Sequence, residues 1–149
     1  WGRPSHDDAY LFEMLVLECF QAGLAWETIL NKRENFRSAF SDFNVDAVAA
    51  YDDDDIASLM NDASIIRNQR KIKAAINNAR TFIDIQGEFT SFDDYIWSFT
   101  QGKSVDEASA QELALGDVIS KELKHRGMSF VGPTVVYAYL QAIGLIHSH

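Results

Sequence analysis

The stretch that decides the fold is an apolar helical run with one carboxylate inside it, Leu15-Val16-Leu17-Glu18-Cys19-Phe20-Gln21-Ala22-Gly23-Leu24-Ala25-Trp26. At helical spacing, Glu18 falls on the same face as Leu11 and Leu15, which is the stripe that should face the core. Burying a carboxylate without a partner costs on the order of several kcal/mol, which is comparable to the whole stability of a small domain. We therefore expect a specific partner or ligand for Glu18.

The end of this run predicts a tight corner between two helices. Gly23 can end the first helix with a positive φ, and Trp26 then opens the next amphipathic segment. A hydrogen-bonding carboxylate beside an indole suits a flat ring with polar edges, which would stack on the indole and bond to the carboxylate. The plainer alternatives, in which Glu18 caps a neighbouring helix or pairs with an arginine, stay open from these residues alone.

Outward from this corner, the chain also reads as helices. Ser5 and Asp8 form a capping-box signature before the first helix, and Gly132-Pro133 opens the last one. The expected helical segments are 7–22, 26–40, 44–50, 52–60, 72–83, 92–99, 113–126 and 134–143. Residues 102–109 are the most loop-like interval, and no alternation typical of a strand is present. The predicted fold class is all-α, a compact array of roughly seven to nine short helices with an embedded helical hairpin.

Composition indicates one soluble domain. A chain of 149 residues that is 47% hydrophobic can bury one core, and it contains neither a bilayer-spanning apolar run nor a signal peptide. The single cysteine, Cys19, excludes an internal disulfide and suits a reducing compartment, so we expect a cytoplasmic location. Its position within the apolar run predicts a small buried side chain.

The charge pattern leaves room for a nucleic-acid surface on an acidic protein. A net charge of −9 argues against a general nucleic-acid binder, but basic residues cluster at 32–37, 67–73 and 121–126. These clusters could converge on one face, or they could be ordinary solvated helix surfaces. The polar break at 62–73 joins two helical patterns, and free N–H groups beside cations there would form a phosphate clamp.

Conventional catalytic motifs are absent from the sequence. It has no glycine-rich phosphate loop, no HExxH and no CxxC, and no serine has the setting of a nucleophile elbow. An enzyme built on this chain would therefore work by binding and electrostatics.

Several blocks in order along the whole chain carry a family resemblance. They are Trp1-Gly2, Leu11-Phe12-Glu13, Leu17-Glu18 with Gln21-Ala22-Gly23-Leu24-Ala25-Trp26, Lys32-Arg33-Glu34-Asn35-Phe36, Ile65-Ile66-Arg67-Asn68, Trp97-Ser98-Phe99, Ser120-Lys121-Glu122-Leu123-Lys124, Phe130-Val131-Gly132 and Gln141-Ala142-Ile143-Gly144-Leu145. This pattern resembles the DNA-3-methyladenine glycosylase I family. The block from Gln21 to Trp26 that follows a glutamate is its most specific part.

The resemblance implies a helix-hairpin-helix enzyme of base-excision repair that flips 3-methyladenine out of alkylated double-stranded DNA and hydrolyses its N-glycosidic bond. It implies that Glu18 is the catalytic residue and bonds to the base edge, that Trp26 stacks on the base, and that Trp1 lines the pocket. The DNA contacts it implies are Gly23 and Leu24, which plug the duplex. The phosphate clamp expected at 62–73 adds Arg67, Asn68, Arg70 and Lys71 as DNA contacts.

The resemblance also implies a structural zinc site, which this sequence holds only in part. His149 matches a carboxyl-terminal histidine ligand, whereas the amino-terminal segment and the later cysteine that complete the family's site are not in this sequence. We therefore expect a single glycosylase domain, residues 1–149, without those segments, and the activity of this chain stays open. Gln69 and Ser64 stand where the family commonly has arginine and glycine, so we expect a weaker or altered phosphate grip in the hairpin.

Two other function classes remain as alternatives. One is a non-catalytic helix-hairpin-helix module that binds DNA, and the other is a helical domain that binds a protein partner. The partners expected for the glycosylase are alkylated double-stranded DNA and no membrane, with the protein acting as a monomer.

Overall fold

The computed structural model describes residues 1–147, which form ten α-helices, one short 3-10 helix and a two-stranded sheet. The helices are α1 (Asp8–Gln21), α2 (Trp26–Asn31), α3 (Arg33–Ala39), α4 (Val45–Ala49), α5 (Asp53–Met60), α6 (Gln69–Phe89), α7 (Phe92–Ser98), α8 (Glu107–Glu112), α9 (Leu115–His125) and α10 (Pro133–Ala142). The 3-10 helix is Ser41–Phe43, and the strands are β1 (Val105–Asp106) and β2 (Ile146–His147). The all-α fold class is confirmed. No helix of the described chain is long and apolar enough to cross a membrane.

Helix α1 is the centre of the core. Every residue from 11 to 20 is buried, and α1 packs against α2, α6, α7 and α10. A helix that is buried on all sides needs apolar residues all round, which explains why its sequence lacks a polar face. Trp97 is 4% exposed and Tyr139 is fully buried, so both belong to the core.

Local capping side chains begin several helices. Asn44, Asp52 and Ser91 each accept a hydrogen bond from the backbone N–H three residues later, so each caps a helix. The predicted cap of α1 was wrong by two residues. Asp7, rather than Ser5, is the N-cap, and its Oδ1 accepts from the N–H of Ala9 at 3.2 Å.

Two of the expected intervals differ in kind in the structure. The segment 26–40 is divided at Lys32, whose φ of −105° and ψ of 3° separate α2 from α3. The interval 102–109 contains β1 and the start of α8, which Asp106 caps through the N–H of Ser109 at 2.7 Å. Strand β1 pairs in parallel with β2, with Val105 opposite Ile146. This pairing is two residues long and distant in sequence, so periodicity could not reveal it.

Candidate functional site

Glu18 is the most unusual side chain of the core. It is 2% exposed, and none of the ion pairs within residues 1–147 involves it. Burial raises the pKa of its carboxyl group from the usual 4.5 to about 7, and a hydrogen-bonding interaction with the Trp1 side chain acts in the opposite direction. The carboxylate therefore forms no ion pair with any residue from 1 to 147, and it can change charge near neutral pH.

The corner that follows Glu18 is held by its own hydrogen bonds. The Gln21 side-chain amide donates to the Leu24 carbonyl at 2.6 Å, and the Leu24 N–H donates to the Gln21 carbonyl at 2.7 Å. Gly23 has a φ of +81°, a conformation that a side chain would strain, although the space around it is open. Trp26 is half-buried at the first position of α2, so the predicted corner between two helices is present.

Trp1 is 61% exposed and interacts with the carboxylate of Glu18. The backbone around it is attached to the end of α10, because the N–H of Gly2 donates to the Ala142 carbonyl at 2.8 Å. The buried carboxylate thus lies beside an indole that is open to solvent.

A close approach of two backbones holds the amino-terminal segment in this position. Gly144 has a φ of +80°, and a Cβ on it would overlap the backbone of Arg3 and Pro4. The Trp97 indole N–H donates to the Ser5 carbonyl at 2.9 Å, which attaches the same segment to α7. Gly144 was part of the family pattern, but the sequence did not indicate that it supports Trp1.

A basic cleft lies along the first half of α6. Arg67, Asn68 and Arg70 are exposed at the start of this helix, as a phosphate contact requires. The cleft has a volume of about 570 Å³, and its lining residues are Arg70, Lys73, Ala74, Asn77, Ser129 and Phe130. The guanidinium of Arg70 lies 5.8 Å from the centre of the Phe130 ring. No carboxylate of residues 1–147 forms an ion pair with Arg70 or Lys73, so these cations are available to an anionic ligand.

Lys71 does not share this exposed position, and its assignment to phosphate binding needs correction. The residue is 7% exposed, and its ammonium donates to the carbonyls of Phe20 at 2.7 Å and Ala22 at 2.6 Å. The carbonyls at the end of α1 thus hold the charge that was expected to face DNA.

The loop between α9 and α10 is fixed by side chains that the sequence analysis did not select. The Asn78 side chain forms two hydrogen bonds with the Ser129 backbone. Its amide N–H donates to the Ser129 carbonyl at 2.9 Å, and its amide oxygen accepts from the Ser129 N–H at 2.8 Å. The Cys19 thiol donates to the Phe130 carbonyl at 3.3 Å, and burial raises its pKa to about 12. A polar Asn78 on the apolar face of α6 was the available sequence signal for this anchor. Cys19 follows Glu18 directly in the sequence, so this contact places the loop beside the residue adjacent to Glu18.

Two pairs of helices are joined by short connections and fit the description of a hairpin. Residues 61–68 join α5 to α6, where Ser64 bonds to Asp62 and Gln69 begins the helix. Residues 126–132 join α9 to α10, and these helices pack so closely that a Cβ on Gly116 would lie 3.1 Å from the Pro133 carbonyl oxygen. The expected helix-hairpin-helix motif stays a prediction.

The zinc prediction also stays untested. His149 lies outside the described residues. Among residues 1–147, no group of three or more histidine, cysteine, aspartate or glutamate side chains is arranged to hold a metal ion.

Comparison with known proteins identifies the family of the chain. A sequence model of the methyladenine glycosylase family matches residues 1–149, the whole chain. The chain therefore belongs to the methyladenine glycosylase family, and its class is that of a DNA base-excision repair glycosylase.

Similar proteins include two curated bacterial relatives and a solved structure. The chain is 43% identical to DNA-3-methyladenine glycosylase 1 of Escherichia coli (strain K12), covering 100% of this chain and 83% of the relative. It is 37% identical to DNA-3-methyladenine glycosylase of Haemophilus influenzae (strain ATCC 51907 / DSM 11121 / KW20 / Rd), covering 100% and 84%. A crystal structure of a variant 3-methyladenine DNA glycosylase I in complex with 3-methyladenine superposes with a TM-score of 0.92 at 37% identity, covering 100% of this chain and 83% of that one.

Proposed function

We propose that this chain releases 3-methyladenine from alkylated double-stranded DNA by hydrolysing the N-glycosidic bond. The observation that carries the proposal is the buried carboxylate of Glu18, which forms no ion pair within residues 1–147 and interacts with the exposed indole of Trp1. Trp26 stands one corner away at the start of α2. The missing counter-charge of Glu18 is then supplied by the damaged base.

The chemistry of the substrate fits a site of this kind. Methylation at N3 gives the base a positive charge in DNA and makes it a good leaving group, so a strong acid is not needed. A carboxylate in an apolar setting favours the cationic base over neutral adenine, and the aromatic faces of Trp1 and Trp26 favour it through stacking and cation–π attraction. A base bound in this way leaves the sugar open to attack by water. Selectivity also comes from the weaker pairing of damaged bases, which are extruded more easily.

The DNA would lie across the glycine corner and the start of α6. Gly23 is exposed and Leu24 is half-buried, so the corner can enter the space that the flipped base leaves. Arg67, Asn68 and Arg70 would bond to phosphates, and the cleft that includes Lys73 extends this surface. The negative charge of the rest of the protein then favours only one orientation on DNA.

Further parts of the prediction concern the hairpin, zinc and assembly. We propose α5, residues 61–68 and α6 as the hairpin, because the exposed Arg67 and Arg70 lie beside the backbone N–H groups at the start of α6. We expect His149 to bind zinc only together with ligands from residues that this sequence does not contain. We also propose that the protein acts as a monomer in the cytoplasm. The large apolar side chains that are exposed within residues 1–147 are scattered over separate elements, which supports the monomer.

Chromatography of the bases released from methylated DNA tests the proposal. The wild-type chain should release 3-methyladenine, and Glu18→Gln should lower the release about a hundredfold or more, because the charge partner of the base is lost. Glu27→Gln is a matched control, since Glu27 is an exposed carboxylate in the first turn of α2. Binding of methylated DNA without release would favour a non-catalytic DNA-binding module. Indifference to DNA would favour a protein-interaction domain.

A further inference from the structure

Lys71 is a buried lysine that the proposed chemistry does not use. Its ammonium donates to the carbonyls of Phe20 and Ala22, at 2.7 and 2.6 Å. The last carbonyls of a helix lack intrahelical partners and carry partial negative charge, and the last turn of α1 contains no basic residue of its own. Lys71 therefore supplies from a distant helix the cap that α1 lacks.

The same residue is also part of the first turn of α6. Its backbone N–H donates to Oδ1 of Asn68, the N-cap of that helix, at 3.1 Å. The main chain of Lys71 thus belongs to the phosphate-binding start of α6, whereas its side chain grips the segment that leads into Gly23 and Leu24. One residue joins the two regions that are proposed to contact DNA.

A lysine at this position is costly, and packing alone does not explain it. Burial lowers the pKa of the Lys71 ammonium, which means that the environment disfavours its charge. The corner has other internal bonds, from Gln21 to Leu24, but these do not connect it to α6. The connection across 49 to 51 residues of chain is made by the Lys71 ammonium.

We propose that Lys71 is a positioning residue that sets the spacing between the Gly23–Leu24 corner and the phosphate-binding start of α6. The inference rests on the proposed function, since it assigns a role in holding DNA and base at the same time. With phosphates bound by Arg67 and Arg70, a corner fixed by Lys71 enters the duplex at a defined distance from them. Misplacement by about 1 Å is enough to lower a rate roughly a hundredfold.

Three measurements on Lys71→Met test this role. The single-turnover rate of 3-methyladenine release should fall roughly ten- to hundredfold. Binding of free 3-methyladenine, followed by tryptophan fluorescence, should stay within about twofold, because Glu18, Trp1 and Trp26 are unchanged. The salt dependence of DNA binding should keep the wild-type slope, because the ammonium is not exposed to phosphate.

Lys73→Met is the matched control, because Lys73 lies exposed two residues further along α6. It should lower the salt slope by about one. Lys71→Gln, whose amide still donates one bond, should show a smaller rate loss than Lys71→Met, and it serves in place of Lys71→Met where that variant does not fold.

Four outcomes would overturn the proposal. A lowered salt slope for Lys71→Met would make Lys71 a phosphate contact. A parallel loss of free-base binding would make the effect a general disturbance of the pocket. An unchanged release rate for Lys71→Met would show that Lys71 has no positioning role. A wild-type chain that releases no 3-methyladenine would overturn the proposed function itself, whatever the variants do.

Discussion

Helix α1 buries two glutamates, and the fold treats them in opposite ways. Glu13 is 8% exposed, and its carboxylate accepts hydrogen bonds from Arg33 at 2.7 Å and Arg37 at 3.2 Å. Glu18 is 2% exposed, forms no ion pair with residues 1–147, and has its pKa raised to about 7 by burial. The comparison teaches that a counter-charge, rather than burial, separates a carboxylate that holds the fold together from one that waits for a ligand.

The largest expected effect concerns the paired glutamate. Glu13→Gln should lower the free energy of unfolding by about 3 kcal/mol, because it leaves Arg33 without its carboxylate and Arg37 with only the exposed Glu34. Chemical denaturation measures the change. Glu34→Gln is the control, because the Glu34 side chain is 79% exposed in its pair with Arg37, and such pairs contribute less than about 1 kcal/mol. Equal losses for both variants would contradict a structural role for Glu13.

The unpaired glutamate should respond to substitution with the opposite sign and with a dependence on pH. Because burial raises the pKa of Glu18 from 4.5 to about 7, its negative charge does not stabilise the folded state. The wild type therefore loses stability as the pH rises from 4.5 to about 7. Glu18→Gln removes this loss. We expect it to equal the wild type near pH 4 and to be more stable by about 2 kcal/mol above pH 8, after allowance for solvent near the site.

Denaturation at several pH values measures this difference, and Glu88→Gln provides a control of opposite sign. Arg126 lowers the pKa of the Glu88 carboxyl group, so the charged Glu88 stabilises the folded state above its usual pKa. This stabilisation is lost as the pH falls. A Glu18→Gln variant that is less stable than the wild type at pH 8 would show that Glu18 has a structural partner.

A third prediction concerns the indole beside Glu18. Gly144→Ala should displace Arg3 and Pro4, move Trp1 away from the carboxylate and raise the KM for methylated DNA about tenfold, equivalent to about 1.4 kcal/mol. Steady-state kinetics measures the change. Gly87→Ala is the control, because no atom lies within 4 Å of a Cβ at this helical position. An unchanged KM in Gly144→Ala would show that Trp1 does not contribute to substrate binding.

The smallest expected effect concerns the DNA backbone. Arg70→Ala should weaken DNA binding a few-fold and lower the slope of log affinity against log salt by about one, because one phosphate contact is lost. Fluorescence anisotropy at several salt concentrations gives the slope. Arg80→Ala makes the same charge change roughly 15 Å further along α6 and should leave the slope closer to the wild type. The reverse order would place the DNA elsewhere on α6.

The sequence predicted the helices well where short-range signals were present. Asn44, Asp52 and Ser91 cap helices because their side chains bond to a backbone N–H three residues away. The break at Lys32 carries neither glycine nor proline, and the β1–β2 pair joins residues about forty positions apart. Local patterns contain no information on either feature.

The site was predictable in part for the same reason. Glu18, Gly23 and Trp26 lie within nine residues, so helical spacing could relate them. Lys71 looked like its exposed neighbours Arg70 and Lys73, because its burial depends on carbonyls about fifty residues earlier. The pairing of Glu13 rather than Glu18 with arginine likewise depends on how α3 packs against α1.

The pH dependence of kcat/KM for 3-methyladenine release tests the central claim most directly. This ratio reports ionisations of the free enzyme. If the charge of Glu18 recognises the base, the ratio rises with pH to a plateau above an apparent pKa of about 7, and Glu18→Gln is low and shows no such step. A wild-type profile without this step, or a Glu18→Gln variant with wild-type kcat/KM, would contradict the account.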